Sequence, residues 1–182
     1  YVIAFNGEIY NHLELRAELE QTGNAPAWRG HSDTETLLAC FSVWGVRQTL
    51  ERTVGMFALA LWDCAERRLH LARDRFGEKP LYYGWVQGAF VFGSELKALC
   101  TYPDFANNID RDVVALYLQY CYVPAPYSIY VNIYKLEPGC LLSLSAADAV
   151  NPPAQALFAP ARHGGLTIER YWSLPSLATA GL

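Results

Sequence analysis

Two stretches of this chain have no wet face. Gly55-Met-Phe-Ala-Leu-Ala-Leu-Trp-Asp63 is almost continuously apolar, and Leu69-His-Leu-Ala72 follows it after the turn Cys64–Arg68. Leu81-Tyr-Tyr-Gly-Trp-Val86 and Ala89-Phe-Val-Phe92 repeat the arrangement around Gln87-Gly88. A strand with one solvated face alternates apolar and polar residues, whereas a run without alternation needs cover on both sides. The short turns make each pair an antiparallel hairpin. Helical patterns precede and follow them, so the chain is predicted to be α+β, with two mainly antiparallel sheets sandwiched between helices.

The helical patterns are explicit. His12–Gln21 places Leu13, Leu15 and Leu19 among charges, and Asn11 with Glu14 has the form of a capping box. Ser32 and Glu35 form a second such box ahead of the periodic run Thr36–Trp44, and Gly45 is placed to end that helix. Ser94 precedes a short helix over residues 94–99, and Asp110 caps another up to Gln119. Tyr122–Tyr130 is a Pro-rich extended loop, Leu136–Gly139 a turn and Cys140–Leu144 a strand. Residues 146–165 read as a flexible Ala/Pro/Gly-rich excursion, and Ile168–Trp172 as a last extended piece.

The polar residues that stand out lie at element ends. Tyr1–Phe5 reads as a strand stopped by Asn6-Gly7, with Glu8 directly after. An Asn side-chain amide beside a Gly N–H offers two convergent donors, as an oxyanion hole requires; the same residues also suit a plain strand–helix turn. Asp33 falls in a helix's first turn, where it either complements the helix dipole or meets a substrate ammonium. Arg73, Asp74, Gly77 and Pro80 sit in a connection between sheet strands, where an Arg–Asp pair is expected to clamp the loop.

Composition excludes several classes. A net charge of −4 without a sustained Lys/Arg cluster argues against nucleic-acid binding. No run approaches the ~18 apolar residues of a membrane span. The cysteines at 40, 64, 100, 121 and 140 show no CxxC or Cys/His ligand spacing, so no metal site is expected. Buried free thiols in a reducing cytoplasm account for them. No phosphate-binding glycine loop is present. The sole Met is Met56, and Tyr1 falls inside a strand, so a chain trimmed at its front, and at its back after Leu182, is expected.

Five ordered motifs carry a resemblance: Phe5-Asn-Gly-Glu-Ile-Tyr-Asn11, Ser32-Asp-Thr-Glu35, Gly55-Met-Phe-Ala58, Arg73-Asp-Arg-Phe-Gly-Glu-Lys-Pro-Leu-Tyr82 and Ser94-Glu-Leu-Lys-Ala98. Together they resemble the glutamine-hydrolysing domain of glutamine-dependent asparagine synthetases, a class II glutamine amidotransferase. The segments 122–130 and 136–139 resemble that family's bacterial branch. The likeness covers about residues 1–145 and resumes at Glu169–Trp172. It implies a four-layer αββα N-terminal-nucleophile (Ntn) hydrolase sandwich whose first strands are missing. Residues 1–145 would be the amidotransferase domain. Residues 146–182 would be a flexible segment and the start of a linker toward an ATP-dependent synthetase domain of the same chain.

The resemblance further implies that Asn6 and Gly7 stabilise a tetrahedral oxyanion, and that Glu8 and Asp33 hold the glutamine α-ammonium. It implies no cofactor in this stretch, with ATP and Mg acting in the synthetase domain. The departures are an N-terminal Cys nucleophile and an early Arg carboxylate clamp, neither of which occurs here, where residue 1 is Tyr. These 182 residues alone are therefore expected not to hydrolyse glutamine. An open sheet edge or apolar face is expected to permit a homodimer. Two other parents stay open: an enzyme that amidates a different carboxylate, such as a polysaccharide sugar acid or an antibiotic precursor, and a non-catalytic docking module.

Overall fold

A computed structural model describes residues 1–179 and 181. Among the described residues nine strands form two antiparallel sheets. The larger holds β1 (Val2–Ile9), β2 (Gly55–Asp63), β3 (Arg68–Arg73), β7 (Cys140–Ser145), β9 (Leu166–Arg170) and β8 (Ala161–His163), in the spatial order β1-β2-β3-β7-β9-β8. The smaller holds β4 (Tyr82–Val86), β5 (Ala89–Gly93) and β6 (Ile133–Lys135), in the order β5-β4-β6.

The absence of alternation in β2 has the consequence expected of it. Phe57, Leu59 and Leu61 face one way, into a core with Leu15 and Leu19 of α1 (His12–Gln21) and Leu37, Cys40 and Phe41 of α2 (Asp33–Arg52). Ala58 and Ala60 face the other way, into a second core with Leu71, Leu142, Tyr83, Trp85 and Tyr134 of the smaller sheet. The alanines on the inter-sheet face leave room for the aromatic cluster of Tyr83, Trp85 and Phe90 opposite. Behind the smaller sheet, Val86, Val91 and Ile133 meet Leu99 of α3 (Leu96–Leu99). The layers are therefore helices, sheet, sheet and a thin helical cover, as an αββα sandwich requires. The helix α4 (Arg111–Tyr120) buries only Val113, and a short helix, α5, spans Leu174–Thr179.

Several local expectations hold. Gln87 and Gly88, with φ of 50° and 81°, form the two-residue turn that suits a right-twisted hairpin. Ser32 Oγ accepts from Glu35 N–H at 3.2 Å, and Asp110 caps α4 through the N–H groups of Asp112 and Val113. Gly45 leaves helical geometry at φ 76°, although helix resumes after it and runs to Arg52.

Others are corrected. The first strand does not stop at Asn6-Gly7 but runs through both to Ile9, in unbroken register with β2. Pairing with a full-length neighbour outweighs the turn preference of the dipeptide. Asn11 does not cap α1; its side chain accepts from Val54 N–H and donates to Arg52 O, tying the start of α1 to the end of α2. Ser94 does not cap α3 either, since Glu95 holds that position without a side-chain bond.

Beyond residue 145 the larger sheet continues. Leu166 and Ile168 point into the inter-sheet core, and β9 pairs with β7 on one side and β8 on the other. The stretch 146–165 thus carries a 3-10 turn at Asp148–Val150 and strand β8 before the hairpin at Gly164-Gly165.

Candidate functional site: an unpaired strand edge

β1 is the outer strand of the larger sheet, so one side of its backbone has no ladder partner. Which N–H groups point to that side follows from register. Tyr10 N–H donates to Val54 O at 2.8 Å, so Tyr10 and Val54 are a hydrogen-bonded pair. Antiparallel pairs alternate, which makes Ile9 with Gly55 and Gly7 with Phe57 the open pairs, their backbone groups directed away from each other. Two contacts agree. Ile9 N–H leaves the sheet edge to reach Asp33 Oδ2 at 3.0 Å. Phe57 turns its N–H to Asp74 Oδ2 at 3.2 Å and its carbonyl to Asp74 N–H at 2.8 Å, both on the side away from β1. Gly7 N–H is therefore presented along the open edge, about 7 Å (two residues of strand) from the N–H that Asp33 holds.

Glycine is required at this point. Gly7 has φ 156°, and a Cβ there would run into the Met56 carbonyl oxygen and lie 2.6 Å from Phe57 Cα. The side chains of Asn6 and Glu8 share the other face of the strand, toward the smaller sheet. Both are exposed. Asn6 Nδ2 donates to Ser94 Oγ at 3.0 Å, which uses one of its two hydrogens. Next along the edge lies Tyr10, whose phenol is held above its ordinary value by partial burial and then by the carboxylates of Glu78, Glu8 and Asp74. Asn6, Gly7 and Glu8 are thus consecutive on the edge strand, and Asp33 reaches the same edge at Ile9 N–H.

Asp33 is fixed by local sequence. It opens α2 beside the Ser32 cap, and its Oδ1 takes Thr34 N–H at 2.7 Å. Glu35 anchors the approach to that helix by accepting from Arg29 N–H at 2.7 Å and Gly30 N–H at 3.0 Å, which with nearby Arg16 holds its carboxyl below the usual range.

The loop at Arg73–Pro80 lies beside the edge and is organised differently from the expected ion pair. Arg73, the last residue of β3, and Asp74, the first of the loop, do not bond to each other but each to backbone groups. Asp74, fully buried, accepts from the N–H groups of Phe57, Phe76, Glu78 and Lys79. Arg73 donates to the carbonyls of Lys79, Leu136 and Gly77. Gly77, at φ 70°, lies against the Arg73 guanidinium and Pro138. Pro80 is half-buried at the loop's end, where β4 begins.

None of the five cysteines lies on the β1 edge. Cys40 and Cys140 are buried, and burial pushes both thiols up to about 12. Cys64 is in the β2–β3 turn, Cys100 ends α3 and Cys121 ends α4.

A family model of the glutamine amidotransferase domain matches residues 1–154. The chain belongs to this family. Over 163 residues it is 39% identical to a putative glutamine-hydrolyzing asparagine synthetase of Mycobacterium tuberculosis, covering 88% of this chain and 24% of that one. It is 39% identical over 139 residues to asparagine synthetase 1 of Bacillus subtilis, covering 76% of this chain and 21% of that one. Asparagine synthetase 3 of the same organism is 33% identical over 177 residues, with coverages of 97% and 26%. The chain spans about a quarter of the length of these curated relatives. Among solved structures, the glutamine phosphoribosylpyrophosphate amidotransferase of B. subtilis with ADP and GMP superposes with a TM-score of 0.59 at 22% identity, over 93% of this chain and 29% of that one. That likeness shows the fold, the Ntn-hydrolase sandwich of this amidotransferase domain.

Ser94, which the sequence places before a helix, meets Asn6 at the site instead. It lies 88 residues from Asn6, and its position before a helix offered a sufficient local explanation.

Proposed function

We propose that this amidotransferase domain binds glutamine along the free edge of β1 and serves a glutamine-dependent asparagine synthetase-type ligase. The observation that carries the reading is the pairing on one edge of unspent donors with carboxylates. Asn6 Nδ2 and Gly7 N–H would stabilise the oxyanion formed when the side-chain amide is attacked. Glu8 and Asp33 would hold the α-ammonium. The separation of Gly7 N–H from the N–H that Asp33 holds suits an amino acid whose amide and ammonium lie at opposite ends of a short aliphatic chain. Attack requires a thiolate at this edge, and among the described residues no cysteine lies there. On this reading the 182 residues would carry the binding half of the site.

The exposed side chains of Ile109, Tyr117, Leu118, Tyr120 and Tyr122 give α4 and its flanks an apolar outer surface. We infer that the synthetase domain packs there. Among the described residues no group of three or more His, Cys, Asp or Glu side chains comes together as metal ligands would. ATP and Mg would act in that second domain, on an acceptor carboxylate such as that of aspartate. Among the described residues no helix is long and apolar enough to cross a membrane.

The test uses the protein expressed from its complete reading frame. Asn6→Ala is expected to lower glutamine-dependent amide synthesis by about 10²–10³ while ammonia-dependent synthesis persists. Equal loss of both activities would remove the oxyanion role. Ammonia release from glutamine by the 182-residue chain alone would contradict the division of the site.

A further inference from the structure

We propose that Ser94 is a positioning residue for Asn6: its hydroxyl holds one hydrogen of the Asn6 amide so that the other faces the reacting carbonyl. The inference rests on the oxyanion reading above and adds to it a residue on the opposite sheet.

Three observations carry it. The first is the bond itself, Asn6 Nδ2 to Ser94 Oγ at 3.0 Å, between the edge strand of the larger sheet and the end of β5 in the smaller one. The second is what Ser94 gives up. Serine before a helix ordinarily accepts from the helix's first N–H groups. Here the cap position falls on Glu95, without a side-chain bond, and the serine oxygen is turned to Asn6 instead. The third is the setting. Behind the pair lies a cavity of about 210 Å³ between the sheets, with apolar walls that include Ala4, Ala58, Ala60, Leu81 and Phe92. No wall side chain other than Ser94 is polar enough to orient an amide there. A primary amide on a strand rotates about its last torsion with little restriction. With Ser94 as acceptor, its nitrogen is fixed on the side of the smaller sheet and one N–H is left for a ligand. An oxyanion donor must be aimed before the charge develops, so a partner that fixes its rotation acts on turnover more than on binding.

The test is kinetic and spectroscopic. In the protein from the complete reading frame, Ser94→Ala is expected to lower kcat for glutamine hydrolysis about tenfold, the scale of one hydrogen bond. KM for glutamine should stay within about twofold, and ammonia-dependent synthesis should be unchanged. Ser94→Thr, which keeps the hydroxyl, should restore most of the rate. In an Asn6→Ala background, Ser94→Ala should add nothing. A full additive loss in that background, or no loss from Ser94→Ala alone, would overturn the positioning role while leaving Asn6 its own. If Asn6→Ala itself leaves glutamine hydrolysis intact, the oxyanion reading fails first, and this inference with it. Independently of turnover, selective 15N-asparagine labelling of the 182-residue chain reads the Asn6 side-chain amide. Ser94→Ala should speed its hydrogen exchange severalfold, with Ser94→Thr restoring it; unchanged exchange would overturn the proposal.

Discussion

The edge of β1 and the loop at Arg73–Pro80 lie side by side and are both rich in polar groups, yet they are built on opposite plans. In the loop the two buried charged groups, Arg73 and Asp74, have internal partners. Asp74 takes four backbone N–H groups and Arg73 three carbonyls, all within the protein. On the edge, Gly7 N–H is directed outward, Asn6 has one hydrogen in use, and Glu8 is exposed. A polar cluster that is fully satisfied fixes shape, because any ligand would have to displace a bond already made. A cluster left partly unsatisfied at a solvent-facing edge retains the capacity to bind. The difference is one of hydrogen-bond inventory, and residue type alone does not reveal it.

The largest effect that separates the two regions is on stability. Asp74→Ala strips the acceptor from Phe57, Phe76, Glu78 and Lys79 and is expected to cost about 3–5 kcal/mol, seen as a lower urea midpoint. Asn6→Ala, at an exposed position, should cost under about 1 kcal/mol in the same measurement. Similar losses from the two would erase the distinction.

Charge on the edge gives the next effect. Glu8→Gln keeps size and polarity and removes the charge that would face an ammonium. A hydrogen bond to a charged group contributes roughly 1.5–3 kcal/mol, so KM for glutamine in the complete protein should rise about 10- to 100-fold, with the urea midpoint unmoved. Asp33→Asn sharpens the point, because an Asn oxygen can still accept from Ile9 N–H and keep α2 tied to β1, with only the local bond to Thr34 N–H given up. A fall in stability matching its loss of binding would show that Asp33 belongs with the enclosed loop rather than with the edge.

Much of this was legible beforehand, for physical reasons that differ by residue. The unalternating run in β2 required cover on both faces, and with the second hairpin and the helical patterns around them it implied two sheets and flanking helices. Asp33 was placed correctly because a helix start is a local event, written in Ser32 and the periodicity after it. Asn6-Gly7 misled on the strand's end, since turn preference is local whereas strand continuation depended on Gly55–Asp63, some fifty residues away. The arrangement of Arg73 and Asp74 was legible as a buried loop but not in its bonding, which depends on where Leu136 and Phe57 bring their backbones. Ser94 and Asn6 meet only through the packing of one sheet on the other, and no spacing in the sequence records it.

His70 stands between the two plans and should give the smallest effect. It is half-buried in β3, opposite Ser143 of β7, with Nδ1 2.7 Å from Ser143 Oγ. Burial, reinforced by Arg68 and opposed by Asp63, holds its imidazole below the ordinary value. A lowered value in the folded state means that the unfolded chain takes up the proton first. The stability associated with neutral His70 is thus complete above the unfolded value of about 6.5, and it declines as pH falls from there through the folded value. The urea midpoint should therefore drop between neutral and mildly acidic pH, and His70→Gln, which can still bond Ser143, should remove that part of the slope. Glutamine binding at the edge should not follow it, since His70 lies on a strand two removed from β1. Parallel pH profiles for the two proteins would mean that His70 is as free to ionise as an edge residue, and that the enclosed plan does not extend across β3.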